Sequence, residues 1–236
     1  MLDKKTIDDL SIKYQTNKLN IVREYTQNLF LKIFYSKKQS ENFLFKGGTA
    51  LRVIYQSPRF SEDLDFSGKV NGKVYEKIIE EVIYEIKLNG IDVDIVESKK
   101  TSGGWLSSFI FKIYDFNFRI LNEISYRKKN LNGDLILITN DFFSSYKMFI
   151  LDPKLIVKEK IEALIERRKS RDIFDFYFIL RNQTLRKFFD YKDKERIIEV
   201  LKKVNQNDLK NELKNFLPFS YQKILNNLID KILMEI

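Results

Sequence analysis

The chain has 236 residues and carries 42 Lys and Arg against 33 Asp and Glu, a formal net charge of +9, with neither Cys nor His. Those two absences exclude zinc fingers, histidine-based metalloprotease sites, Ser-His-Asp triads and cysteine nucleophiles. Any metal must be a hard cation held by oxygen, with Mg²⁺ first in line. Apolar residues make up 44% and aromatics 14%, and there are only 8 Gly and 3 Pro, so a folded, helix-rich protein with short connections is expected. The positive charge suits an anionic partner such as nucleic acid, a nucleotide or an acidic protein surface, although a basic solvated surface accounts for it equally well. No apolar run approaches the ~18 residues of a membrane span, and the N-terminus lacks a signal-peptide core, which gives the expectation of a cytoplasmic protein with no membrane partner.

In chain order, residues 3–38 carry helical periodicity, with Ile21, Val22, Tyr25, Leu29, Phe30, Ile33 and Phe34 on one stripe. Residues 43–46 form a short apolar run that suits a buried strand, and Gly47-Gly48 then lead into a helix over 49–56. Residues 63–66 alternate as a strand. A helix over 72–89 has Val74, Ile78, Val82 and Ile86 in register and stops at Asn89-Gly90. Strand patterns follow over 91–97, 106–114 and 116–126, the first two separated by a polar linker containing Gly103-Gly104, the third entered by a tight turn near Asp115. Helical patterns over 153–169, 171–182, 193–204 and 220–235 fill the remainder. The expected class is α+β, with a mixed α/β unit over 1–148 and a helical unit over 149–236.

The chemistry concentrates in "FLFKGGTALRVIYQSPRFSEDLDF", residues 43–66. Alternate side chains of a strand share a face, so Asp63 and Asp65 point one way while Leu64 and Phe66 point into the core. Carboxylates roughly 6.5–7 Å apart at the backbone can converge on one Mg²⁺. Alone, the common D-x-D pattern is better read as solvated acids on an edge strand. Gly47, Gly48 and Thr49, between a strand and a helix, supply backbone N–H groups for a phosphate, without forming the G-x-x-x-x-G-K-[ST] loop. Alone, they read as a tight turn with Thr49 capping the helix. Together, glycines and aspartates describe one site where triphosphate and metal meet.

A third acid for such a site is Glu123 in "RILNEIS", on a strand able to pair beside 63–66; Asp92 and Asp94 compete for the role but read more simply as a solvated strand face. In "KEKIEALIERRKSRDIFDFYFIL", Lys160 lies among alternating charges, and Asp172 and Asp175 share a face. The simplest account of that stretch pairs Arg168 with Asp172 and Arg171 with Asp175 at i, i+4.

Taken together, "FKGGTALRVIY", "RFSEDLDF", "LNEIS" and "KEKIEALIERRKSRDIFDFY" resemble the AbiEii/AbiGii family over about residues 43–182. These are nucleotidyltransferase-like toxins of type IV toxin–antitoxin systems, related to the mycobacterial MenT toxins. The resemblance implies a DNA-polymerase-β-like nucleotidyltransferase core followed by a helical C-terminal domain. It also implies Mg²⁺-dependent transfer from an NTP, a tRNA or other RNA acceptor, and a cognate antitoxin. It assigns Gly47, Gly48 and Thr49 to the glycine motif and Ser61, Asp63 and Asp65 to S-x-D-x-D. Lys160 falls on the "EKI" motif, Arg171, Asp172 and Asp175 on R-D-x-x-D, and Glu123 on the third acid. Asp63, Asp65 and Glu123 are then the metal ligands, and Gly47, Gly48, Thr49, Ser61 and Arg171 bind nucleotide. Asp63, Asp65, Lys160 and one of Asp172 or Asp175 carry catalysis; the sequence does not choose between the last two. Two alternatives remain open: a GTP-binding regulator without transfer activity, and transfer to a protein hydroxyl.

Overall fold

The structure, a computed structural model, describes residues 1–128 and 131–236. The N-terminal periodic stretch is two helices, α1 (Lys4–Lys13) and α2 (Lys18–Phe34). They are divided where Gln15 takes φ 52° and Asn17 caps α2 by accepting from the Asn20 N–H at 2.9 Å. There follow β1 (Phe43–Lys46), α3 (Gly47–Val53), β2 (Leu64–Gly68), α4 (Gly72–Leu88), β3 (Asp92–Thr101), β4 (Gly104–Ile113) and β5 (Phe116–Ser125). The strands β3 and β4 run on into a tight hairpin in which Thr101 pairs with Gly104, so the expected polar linker is strand and turn.

Two strands that the sequence pattern did not mark complete the sheet, β6 (Gly133–Ile138) and β7 (Tyr146–Leu151). Helices α5 (Pro153–Arg167), α6 (Ser170–Arg181), α7 (Gln183–Arg186), α8 (Lys194–Leu201), α9 (Gln206–Leu213) and α10 (Leu228–Glu235) follow. The expected helix over 220–235 is divided between a 3-10 segment, Phe219–Asn226, and α10.

Among the described residues seven strands lie in the order β3-β4-β5-β2-β1-β7-β6. β2 is central: it runs antiparallel to β1 and parallel to β5, with Asp65 opposite both Lys46 and Glu123. Because side chains alternate, this register sends Phe45, Leu64, Phe66 and Ile124 to one face and Lys46, Asp65 and Glu123 to the other. On the first face α2 and α4 cover the sheet. Phe34 of α2 packs against Phe43, Phe66 and Tyr75 with ring centroids 5.9, 5.2 and 6.5 Å away, and all four rings are fully buried. On the second face Leu44 and Leu151 join the core of the C-terminal helices, with Ile156, Val157, Ile161 and Ile173. That face therefore meets α5 and α6 over β1 and β7, and leaves a cleft over β2 and β5. Among the described residues no helix is long and apolar enough to cross a membrane.

Candidate active site

The turn from β1 into α3 needs both glycines for reasons of space. Gly47 has φ 84°, and a Cβ there would lie 1.9 Å from Asp65 Oδ2. A Cβ on Gly48 would lie 2.6 Å from Arg59 Nη2 and 2.8 Å from Ser61 Oγ. The paired glycines thus let Asp65, Arg59 and Ser61 close directly on the backbone. Thr49 does not cap α3. Its buried hydroxyl donates to the Asp63 carbonyl and ties the glycine turn to the start of β2.

Asp63 accepts from the Leu121 N–H at 3.4 Å. Burial, and then the Asp65 charge, push its carboxyl up to about 6. Asp65 is raised too: burial exceeds the opposing pull of Lys160, Lys46, Arg167 and Arg171. Glu123, exposed to the cleft beside Asp65, is raised by burial and by the Asp65 charge. Three acids therefore sit on one sheet face with their negative charge incompletely neutralised. Asp92 and Asp94 stand apart on exposed β3, facing Lys112 at 3.6 and 3.8 Å.

The helical half brings cations to this face. Lys160 of α5 donates to Asp175 Oδ2 at 2.7 Å. Asp175 is buried to 1% exposure and is also gripped by Arg59, Nε to Oδ1 at 2.8 Å and Nη2 to Oδ2 at 2.9 Å. Burial pushes that carboxyl up, but Arg59 and Lys160 outweigh it and hold it at about 2. Asp175 thus positions Lys160 and is no proton acceptor near neutral pH. Asp172 is equally buried, accepts from Arg167 Nη2 at 2.9 Å, and keeps a buried Oδ2 without a hydrogen-bond partner.

The expected i, i+4 pairs are not formed. α5 ends at Arg167, and Arg168 turns to φ 56°, which breaks the helical register with Asp172; Arg167 takes the contact instead. Within α6, Asp175 is already occupied, and the Arg171 charge acts on Asp63, Asp65 and Glu123.

A cavity of about 390 Å³ lies between the sheet and α5, lined among others by Lys46, Gly47, Asp65, Glu123, Lys160 and Arg167. Sequence reasoning missed several of its residues. Lys46 lies directly across from Asp65 and donates to Glu159 at 2.8 Å, and Lys128 approaches the same carboxylate at 3.1 Å. Lys46 was findable, since it immediately precedes the glycines. Arg59, which does not line the cavity but grips Asp175 behind it, carried no local signal.

The donor chemistry fits Mg²⁺. Among the described residues no three acids form a ready-made metal cage. Two under-neutralised carboxylates at i, i+2 beside a glycine turn are, however, the kind of partial set Mg²⁺ uses when substrate phosphates and water complete its shell. A mixed sheet with a glycine turn, Asp65 on its central strand, Asp63 just before that strand and a lysine held on the same face is the arrangement expected of a nucleotidyltransferase-type enzyme. The family described as nucleotidyl transferase AbiEii toxin, type IV TA system, matches residues 30–235, and the chain belongs to it. It is a nucleotidyltransferase toxin, and membership implies an NTP substrate and a cognate antitoxin.

Solved structures share the fold. The MenT4 nucleotidyltransferase toxin of Mycobacterium tuberculosis has a TM-score of 0.67 at 15% identity, covering 99% of this chain and 90% of that one. A structure described as a putative nucleotidyltransferase from H. pylori has a TM-score of 0.61 at 21% identity, covering 93% and 95%. JHP933 from Helicobacter pylori has a TM-score of 0.59 at 22% identity, covering 93% of each chain. No curated protein matches the sequence.

Proposed function

We propose that the enzyme transfers a nucleotide from an NTP to the 3′ end of an RNA, with tRNA as the acceptor. The triphosphate meets the Gly47-Gly48-Thr49 turn at Gly47, which lines the cleft together with Lys160, and Ser61 and Arg171 are the further nucleotide-binding residues. Asp63 and Asp65, with Glu123 adjacent, would hold Mg²⁺, which when bound would neutralise phosphate charge and make the acceptor hydroxyl more acidic. Lys160, fixed by Asp175, opposes the charge that builds on the departing pyrophosphate. The acceptor oxygen bonds to the α-phosphorus as the bond to the bridging oxygen breaks, and pyrophosphate leaves with that electron pair. The hydroxyl proton goes to water in the cleft, because Asp175 is locked between two cations. We read the division of labour as residues 1–148 carrying the acids and residues 149–236 supplying Lys160 and Arg171.

One observation carries this reading: the acid pair with raised pKa lies on the same sheet face that α5 supplies with an anchored lysine. The test is incubation of the protein and Mg²⁺ with each labelled NTP and an RNA pool, followed by sequencing of RNA 3′ ends. Label is expected on RNA, absent with Asp65→Ala and strongly reduced with Lys160→Ala. Label that follows protein, or GTP bound without any incorporation, overturns the acceptor assignment.

A further inference from the structure

A second cavity, of about 880 Å³, adjoins the active-site cleft beyond the C-terminal ends of β2 and β5. The β3–β4 hairpin tip serves both: Thr101 and Gly103 line the cleft, while Lys100 and Trp105 line the second cavity, and Lys128 lines both. Trp105 is partly exposed, and its indole N–H donates to Ser98 Oγ at 2.9 Å. Its six-membered ring is backed by Gly72, where a Cβ would lie 2.2 Å from the ring. Tyr126 is backed likewise by Gly68, with a Cβ distance of 2.2 Å, and its hydroxyl is buried with no hydrogen-bond partner. Two glycines thus hold two aromatic side chains against the cavity wall.

The rim is basic. Lys69, Lys73, Lys100 and Lys128 line the cavity against a single acid, Glu76, and among the described residues Lys69, Lys73 and Lys100 make no ion pair. Aromatic platforms interleaved with unpaired lysines are the surface chemistry of single-stranded nucleic acid binding, in which bases stack and backbone phosphates meet ammonium groups.

We propose that this cavity is a subsite for an unpaired nucleotide of the acceptor RNA, its base on Trp105 and its flanking phosphates on Lys69, Lys73 and Lys100. The incoming NTP is a poorer occupant. Its phosphates belong at the glycine turn, which meets β2 at Asp65, whereas the cavity opens past Gly68 at the other end of that strand. Several free lysines there call for further phosphates, which a polynucleotide has and a single NTP does not. The proposal rests on the reading that the acceptor is RNA.

Trp105 is the only tryptophan, so tryptophan fluorescence reports on the residue that lines this cavity. Titration of the full chain with a short unstructured RNA oligonucleotide is expected to quench the emission saturably, whether or not transfer follows, while NTP with Mg²⁺ is expected not to. Lys69→Ala and Lys73→Ala are each expected to weaken binding and to reduce the salt slope by about 0.7. In the transfer assay Trp105→Ala is expected to raise KM for RNA roughly tenfold, with kcat and KM for NTP unchanged, and Trp105→Phe to restore most of the loss. Quenching without transfer supports the subsite while overturning the transfer reading. Transfer without quenching overturns the subsite alone. Quenching by NTP, or a rise in KM for NTP, overturns the RNA assignment in favour of the incoming base.

Discussion

Arg59 and Asp175, 116 positions apart, are joined by two parallel hydrogen bonds of 2.8 and 2.9 Å, with side chains 5% and 1% exposed. Arg59 also abuts Gly48, and Asp175 holds Lys160. One buried ion pair therefore couples the glycine turn to the cation opposite the acids. The geometry that sets the distance between turn and lysine resides in a residue outside both.

Arg59→Ala leaves Asp175 buried with only Lys160 as a counter-charge. Removal of one partner from a buried pair costs about 3–5 kcal/mol, so urea unfolding is expected to show a loss of that order. A double-mutant cycle with Asp175→Ala is expected to show strong coupling, with the second substitution adding little to the first. Additive losses would mean that the two side chains do not act together.

The two positive-φ glycines separate space from backbone strain. Gly90 has φ 78° with nothing within 4 Å of the position a Cβ would take, whereas Gly47 has φ 84° and Asp65 in the way. Gly90→Ala is expected to cost about 1–2 kcal/mol and to leave transfer intact. Gly47→Ala carries the same strain, displaces Asp65 as well, and is expected to abolish transfer. Calorimetric melting and the labelled-NTP assay on both variants check this; equal activity in the two would refute the steric account.

Much of this was legible in the sequence. Alternation in 63–66 and the stop at Asn89-Gly90 placed β2 and α4 because local pattern and burial agree there. The strands β6 and β7 escaped for opposite reasons. Leu135 and Leu137 of β6 are 50% and 63% exposed, against the rule that apolar alternates face inward. β7 is inserted between β6 and β1, touching β1 in parallel through Phe45 and Ile150, a pairing set by long-range topology. The acids were readable because alternation put Asp63 and Asp65 on one side, although β2 begins one residue later than expected and leaves Asp63 just before it, and because Glu123 is in register with Asp65. Arg59 was not, since no spacing rule links a turn arginine to a distant helix.

Lys160 is the clearest test of charge stabilisation. Lys160→Met keeps the stem and removes the ammonium, leaving Asp175 with Arg59. Loss of one preorganised charge-stabilising group typically costs about 10²–10³-fold in kcat, and a loss of that order is expected, with a smaller change in KM for NTP. Steady-state kinetics distinguish this from simple loss of NTP binding, in which KM would rise at constant kcat.

The acids also make stability depend on pH in a way that reverses between residues. The Asp63 carboxyl is raised from 3.8 to about 6, so between those values the folded state binds more protons than the unfolded one, and this contribution to stability is lost as pH rises through the window. The Asp175 carboxyl is lowered to about 2; its contribution is present above 3.8 and is lost as pH falls towards 2. In metal-free protein, Asp63→Asn is expected to remove the loss between about pH 4 and pH 6 and to raise stability near pH 7 by roughly 1–3 kcal/mol, while eliminating transfer. Mg²⁺ is expected to stabilise the wild type near pH 7 and the variant much less, because the cation relieves the repulsion the substitution has already removed. Chemical denaturation across pH, with and without Mg²⁺, checks both halves. A variant less stable than wild type near pH 7 would show that Asp63 serves the fold rather than the charge cluster.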